Sequence, residues 1–240
     1  MTQSSFSEAS TVGEIVIAQP LLARVFERVG IDFCCGGKKT LAAACAAKGL
    51  DPATVVVMLD AAAQLSGPPP AVDAARMSLT ALVDHIETTH HAYLKQELPS
   101  LVEKAERVAA KHGWRDQRLV PVAETILGLA QEMFSHMAKE EQALFPLIRR
   151  LEGSSAPAGH FGSIANPIGV MESEHDSAGG AVARLRELTG GYTPDAESCN
   201  THRALLAGLA QLETDLHEHV HKENNVLFPR ALALEAQLAS

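Results

Sequence analysis

Across the C-terminal two-thirds of the chain, apolar residues recur in steps of three and four, the period of a helix that buries one face. From Leu119 the pattern runs Val122, Ile126, Leu129, Met133, then His136 and Glu140, then Ala143 and Leu147. Nearer the C-terminus it runs Leu205, Leu209, Leu212, Leu216, then His219 and Glu223, then Val226. A third stripe reads Ile168, Met171, His175, Ala178, Val182 and Leu185, and a weaker one continues from His91 into Leu94, Leu98 and Leu101. Each stripe is an inward seam, and each places histidine or glutamate where leucine is expected. The patterns predict four long helices, over about 78–111, 118–151, from Asn166-Pro167 to Gly190-Gly191, and over about 198–238. Pro99 should kink the first, which stops at His112-Gly113; Gly153 stops the second. Moderate connections favour an antiparallel up-down-up-down bundle.

Upstream, Ser66-Gly67-Pro68-Pro69-Pro70-Ala71 can be neither helix nor central strand and reads as a stiff linker. Before it lie an apolar stretch from Leu21 to Val29, a helix from Lys39 to Lys48, and a helix opened by Asp51-Pro52 that runs to about Leu65. Between the first two sits Gly30-Ile31-Asp32-Phe33-Cys34-Cys35-Gly36-Gly37, a loop whose glycines permit positive φ. The expectation is an all-α chain: a small helical domain over 1–65, a Pro-rich linker over 66–76, and the bundle over 77–240.

The bundle is internally repeated. Residues 135–146, SHMAKEEQALFP, match residues 218–229, EHVHKENNVLFP: both read His-x-x-x-Glu and then Leu-Phe-Pro, at an offset of 83 residues. An offset of 84 joins His91 to His175. The region is therefore a tandem pair of helical hairpins, each contributing one histidine from its first helix and a His-x-x-x-Glu pair from its second.

Burying a carboxylate in such a seam is costly unless a cation or hydrogen bonds compensate it. Two glutamates and four imidazoles would converge from four facing helices, and two dications about 3.5–4 Å apart, bridged by the carboxylates, are the economical compensation. The candidate ligands are His91, His136, Glu140, His175, His219 and Glu223. Nitrogen and oxygen ligation without thiolate suits iron or manganese better than a structural zinc. A rival set uses Glu87-x-x-His90 and Glu172-x-x-His175 with Glu140 and Glu223, the spacing of ferritin-like di-iron bundles. It ranks second, because it leaves His136 and His219 buried without a role.

Composition narrows the chemistry. Alanine and leucine dominate, aromatics make up only 4%, and the formal charge of −9 excludes a nucleic-acid or anionic-membrane partner, both of which need a basic face. The start of the chain lacks a signal-peptide pattern, and no apolar run approaches the roughly 18 residues of a membrane span. Cys34, Cys35, Cys45 and Cys199 fit no disulfide framework and no zinc motif, so a cytoplasmic protein with reduced thiols is expected. Cys45 reads as core.

Asp32-Phe33-Cys34-Cys35-Gly36-Gly37 followed by Lys38-Lys39-Thr40-Leu41, then Met171-Glu172-Ser173-Glu174-His175-Asp176, then Glu223-Asn224-Asn225-Val226-Leu227-Phe228-Pro229-Arg230, resemble the RIC family of bacterial iron–sulfur cluster repair proteins. The resemblance covers nearly the whole chain. It implies a ScdA-type N-terminal domain and a hemerythrin-like four-helix bundle holding two non-haem iron ions, oxo- or hydroxo-bridged when oxidised. The family's ligands fall on the six residues already named, although His90 stands where the family often has an aromatic.

The function implied is repair of clusters damaged by nitrosative or oxidative stress, by donating iron. Damaged or apo iron–sulfur proteins are the implied partners, and nitric oxide an implied ligand. The alternatives are an enzyme reducing nitric oxide and a hemerythrin-like oxygen or nitric oxide carrier; whether the chain forms a homodimer is left open. Cys34 and Cys35 read as two thiols for redox chemistry or client contact. Glu132 and Glu174 read as supports of the ligand histidines, as steps on an iron exit path or as surface residues, and His85, His90, His217 and His221 as solvent-facing in preference to aids to iron passage.

Overall fold

The computed structural model describes residues 6–64, 73–153 and 163–239. The Ser66–Ala71 segment expected to be a linker lies outside them, as does the Gly/Ser/Ala-rich stretch after Gly153. The described chain is all-α. Four short helices form the N-terminal part: α1 (Val12–Ala18), α2 (Ala23–Val29), α3 (Leu41–Lys48) and α4 (Pro52–Gln64). Thr11 and Glu14 close a capping box on α1, Thr40 caps α3, and Asp51 accepts from the Thr54 amide at 3.0 Å at the start of α4. Val12, Ile15, Leu22, Phe26, Phe33, Leu41, Cys45 and Leu59 form their own small core.

The bundle follows. Its first helix is α5 (Leu79–Ile86) continuing into α6 (Ala92–His112); its second is α7 (Leu119–Lys139) continuing into α8 (Phe145–Gly153). The third is α9 (Ala165–Leu188), and the fourth is α10 (Asn200–Lys222) continuing into α11 (Phe228–Ala239). Ser78 caps the first helix, and α9 ends before Gly190 and Gly191, at φ 58° and 73°. α6 packs on α7 and α10, and α7 packs on α9. Two apolar clusters fill the interior. One is built from Leu94, Leu98, Ile126, Met133, Val182, Leu209 and their neighbours, the other from Leu82, Ile86, Phe145, Ile148, Ile168 and Phe228 with theirs. Among the described residues no single helix is long and apolar enough to cross a membrane.

Three of the four bundle helices contain one π-helical turn: Glu87–His91, Glu140–Leu144 and Glu223–Leu227. In the latter two the amides of Phe145 and Phe228 reach back five residues, to the carbonyls of Glu140 and Glu223. The Leu-Phe-Pro of the repeat supplies a reason. Pro146 and Pro229 have no N–H, and their rings would strike a carbonyl four residues back, so a widened turn just before them relieves the clash. The wide turn shifts the seam. The alternation predicts Ala143 and Leu147 inside; instead Leu144 and Ile148 are buried, Ala143 is exposed and Leu147 is half-buried. The first helix runs through Pro99 as continuous α-helix, and its departure from α geometry lies at Glu87–His91 instead.

The glycines of the Cys-Cys loop also differ from expectation. Only Gly30 has positive φ, as the cap of α2. Gly36 and Gly37 are required by close approach: a Cβ on Gly36 would stand 2.7 Å from the Asp32 carbonyl, and one on Gly37 would overlap the side chain of Asn225.

Candidate metal centre

The seams place all six candidate ligands at one level of the bundle, each almost fully buried. His91 ends the π-turn of the first helix, His136 and His219 lie one turn before Glu140 and Glu223, and those glutamates open the π-turns of their helices. Two tetrads result, His91–Glu140–His219–Glu223 and His136–Glu140–His175–Glu223, and both glutamates belong to both. Glu140 Oε2 lies 3.3 Å from Nε2 of His91 and of His136. Glu223 Oε2 lies 3.1 Å from His175 Nε2, and its Oε1 lies 3.0 Å from His219 Nε2.

The outer nitrogens fix what the inner ones can do. Nδ1 of His91 meets Glu141 at 2.8 Å, Nδ1 of His136 meets Glu174 at 2.9 Å, and Nδ1 of His175 meets Asn224 Oδ1 at 2.8 Å. Each partner is an acceptor, so each Nδ1 carries its proton outward and Nε2 is the nitrogen left facing the tetrads. His136 Nε2 and His175 Nε2 face each other at 3.1 Å, an arrangement two lone pairs hold only with a proton or a cation between them. Both oxygens of Glu140, Oε2 of Glu223 and Nε2 of His91 lack hydrogen-bond partners although buried. Orphaned buried acceptors aimed at shared points fit a pair of cations.

Electrostatics agree. Burial alone would lower the His136 pKa, but the Glu140 carboxylate, with Glu223 and Glu174 behind it, pushes it up to about 9. His91 is raised in the same way, burial being outweighed by the nearby Glu140 carboxylate, the charge of Glu223 and the bond to Glu141. Burial would raise Glu223, yet His219 and His175 hold it well below the usual carboxylate range. In the metal-free chain His136 and His91 thus hold protons where cations would stand, while burial pushes His219 down.

The rival ligand set is not assembled: Glu87 pairs with Arg149 at 2.7 Å and Glu172 with Lys38 at 2.6 Å, and neither belongs to a tetrad. Glu174, besides holding His136, pairs with Lys139. Glu132 accepts from the Ser177 hydroxyl at 3.1 Å; with His136, Lys139, Ser173 and Glu174 it lines a cleft of about 490 Å³.

Two of the histidines read as solvent-facing are buried. His90 lies flat against His219, ring centroids 5.3 Å apart, with Asp215 at 2.8 Å on Nδ1 and Lys222 at 3.0 Å on Nε2. Burial, then the Lys222 charge, lower its pKa to about 3, so it stays a neutral ring that donates to Asp215 and accepts from Lys222. His221 is buried against Phe33 of the N-terminal part. His85 and His217 are half-buried.

Glu141 and Asn224 escaped the seam pattern because they do not lie on it. A signal was present: each directly follows a seam glutamate, and the 83-residue offset joins them. The outer partners are not fully symmetric, since the offset that joins His91 to His175 joins His90 to Glu174, and His219 Nδ1 has no hydrogen-bond partner. Replacing Asn224 or Glu174 with alanine should weaken metal binding by about 10–100-fold while the helix content stays unchanged, as measured by competition with a chelator.

Cys34 and Cys35 lie in a turn organised by Asp32, whose carboxylate accepts from the amides of Cys34, Cys35 and Gly36 at 2.9, 3.0 and 2.9 Å. Both are free thiols, Cys34 buried and Cys35 partly exposed. The hydrogen bond with Cys35, then burial, hold the Cys34 thiol well above its ordinary range. Cys45 is in the N-terminal core, and Cys199 precedes α10 without capping it. The two thiols line a cleft of about 650 Å³ with Asp32, Asp176, Arg186 and His217, and a smaller one of about 190 Å³ whose wall includes Asn224.

Fold and site together define a hemerythrin-like cation-binding bundle with a helical domain docked upon it. Residues 73–231 match the family model described as the hemerythrin HHE cation binding domain, and residues 8–63 match ScdA_N, described as a domain of unknown function (DUF542). The proteins called iron–sulfur cluster repair protein YtfE in Enterobacter sp. (strain 638), Citrobacter koseri and Escherichia coli O157:H7 are each 40% identical to this chain over 226 residues, covering 93% of it and 97% of each relative. The chain belongs to this family of iron–sulfur cluster repair proteins.

Proposed function

We propose that the two tetrads hold two iron ions, and that the chain repairs iron–sulfur clusters of other proteins after nitrosative or oxidative damage by giving up iron to them. The observation that carries the reading is the set of inward, unpartnered nitrogen and carboxylate atoms shared between two tetrads, in a chain whose relatives bear the name of cluster repair proteins. Glu140 and Glu223 would serve both ions, His91 and His219 one, His136 and His175 the other. Bound iron would supply exchangeable redox chemistry and open positions for small ligands such as nitric oxide.

The residues around it suit a store that can be emptied. Only two carboxylates face two cations, so the site is under-neutralised and holds iron less tightly than a carboxylate-rich one would. Glu174 keeps His136 oriented and, with Glu132, lines the cleft beside that ligand, where their carboxylates would receive a departing cation. The test is direct. Iron-loaded, reduced protein is mixed with a damaged iron–sulfur enzyme, and recovery is followed together with the iron remaining on this chain. Recovery in step with iron loss supports donation. Recovery without iron loss, or sustained turnover of nitric oxide with an electron donor in place of any repair, would replace it with an enzymatic reading.

Replacing both Cys34 and Cys35 with serine should leave iron content unchanged and lower repair several-fold, since neither thiol belongs to a tetrad. Equal repair rates for the double variant and the parent would reduce the pair to structure.

A further inference from the structure

The N-terminal domain does not rest on the bundle at an arbitrary place. Its Cys-Cys loop sits on the π-turn Glu223–Leu227, where Asn225 bonds it, beside His221 at the Phe33 carbonyl and the Lys38–Glu172 ion pair. Asn225 is two residues after the shared carboxylate Glu223 and directly after Asn224, which holds His175. Its amide donates to the Cys34 carbonyl at 2.9 Å and reaches that of Phe33 at 3.4 Å. The slot it fills is made by two glycines from separate segments: a Cβ on Gly13 would come within 2.7 Å of Asn225 Oδ1, and one on Gly37 would overlap it. Gly13 and Gly37 are themselves joined, the Gly13 amide donating to the Gly37 carbonyl at 2.8 Å.

The repeat supplies an internal comparison. The residue matching Asn225 at the 83-residue offset is Gln142, in the π-turn that carries Glu140; it is exposed, and among the described residues no loop of the N-terminal domain is bonded to it. The two π-turns thus each carry a carboxylate shared by both tetrads but are braced differently. A π-turn is a local irregularity within a helix, frequent at functional sites. A rigid contact on such a turn sets where its carboxylate points.

We propose that Asn225 is a positioning residue that couples the seating of the Cys34–Cys35 loop to the hold of Glu223 on iron. With the loop seated, Asn225 locks the π-turn in the form that aims Glu223 into both tetrads. When the loop lifts, as a client contact at the thiols would make it do, the turn is freed and the shared carboxylate loosens. The device deepens the iron-donor reading and rests on it, because it gives that reading a trigger: iron is retained until the cysteine domain is engaged.

Two variants break the junction from opposite sides. Asn225→Ala removes the knob, and Gly37→Ala fills the slot while leaving Asn225 in place. Each should release iron to a chelator about 10-fold faster than the parent, the equivalent of losing one well-formed buried hydrogen bond. Each should also make Cys34 reactive to a thiol reagent, while starting iron content and helix content stay at parental values. Gln142→Ala, on the unbraced turn, should leave release unchanged. Release within twofold of the parent in Asn225→Ala and Gly37→Ala, with Cys34 newly reactive, would show that the junction only holds the domain on and would overturn the coupling. So would equal acceleration by Gln142→Ala. A parent chain that binds no iron would instead overturn the reading beneath it.

Discussion

Replacing Glu140 with alanine should leave the protein with neither metal ion, whereas replacing His175 with alanine should leave it with one. The difference follows from sharing. Glu140 Oε2 stands 3.3 Å from the inward nitrogen of His91 in one tetrad and of His136 in the other, so it serves both positions. His175 belongs to one tetrad only, and its loss leaves His91, Glu140, His219 and Glu223 in place. Charge sets the size of the effect. Two divalent cations in a water-excluded site already exceed the two carboxylates facing them, and removing one carboxylate raises the excess to about three units, a cost of several kcal/mol that imidazoles cannot repay. Metal content by elemental analysis after aerobic loading should fall from about two per chain to near zero for Glu140→Ala, and to about one for His175→Ala. Circular dichroism should stay helical in both. Retention of one ion by Glu140→Ala would make that carboxylate terminal to a single metal and undo the shared arrangement.

The metal-free protein should lose stability as the pH rises from 6.5 to 9, and metal loading should abolish that loss. His136 has its folded pKa raised to about 9 by Glu140, against an unfolded value near 6.5. A raised pKa means the folded chain binds the proton more tightly, so the contribution is complete below about pH 6.5 and disappears through about pH 9. For this group alone the full span amounts to about 3 kcal/mol. His91, raised in the same direction, adds to it. Metal ions take the place of these protons, and the histidines then have nothing to lose on the alkaline side. Denaturant unfolding at pH 6.5, 8 and 9.5, with and without metal, measures the difference. A flat profile for the metal-free chain would mean that the buried glutamates find their compensation elsewhere.

Much of this site was legible before any coordinates, because a buried bundle helix repeats its environment every three to four residues. A histidine on the seam can be recognised by its company: His175 between Met171 and Ala178, His219 between Leu216 and Val226. The internal repeat doubled each signal, and the convergence of six polar residues followed from elementary desolvation. Periodicity says nothing, however, about residues just off the seam. Glu141, Glu174 and Asn224 orient the ligand rings from there, and of the three only Glu174 was a candidate in the sequence, as a support or a surface residue alike. His90 was misread for the same reason: a second histidine beside a seam histidine points off the stripe, yet Asp215, Lys222 and the face of His219 enclose it.

By itself the sequence determined the class of fold, the direction in which each helix faces and the identity of the six side chains that meet, since these depend on local period and on the cost of burying charge. Tertiary structure decided three things. It decided which residues the widened turn before Pro146 carries inside, Leu144 and Ile148 in place of Ala143 and Leu147, with Glu140 kept inside. It supplied the outer partners that turn the imidazole lone pairs inward. And it seated the cysteine loop on Asn225, a contact between residues 191 positions apart. That pairing depends on shape, a knob in a slot between two glycines, and no local period encodes it.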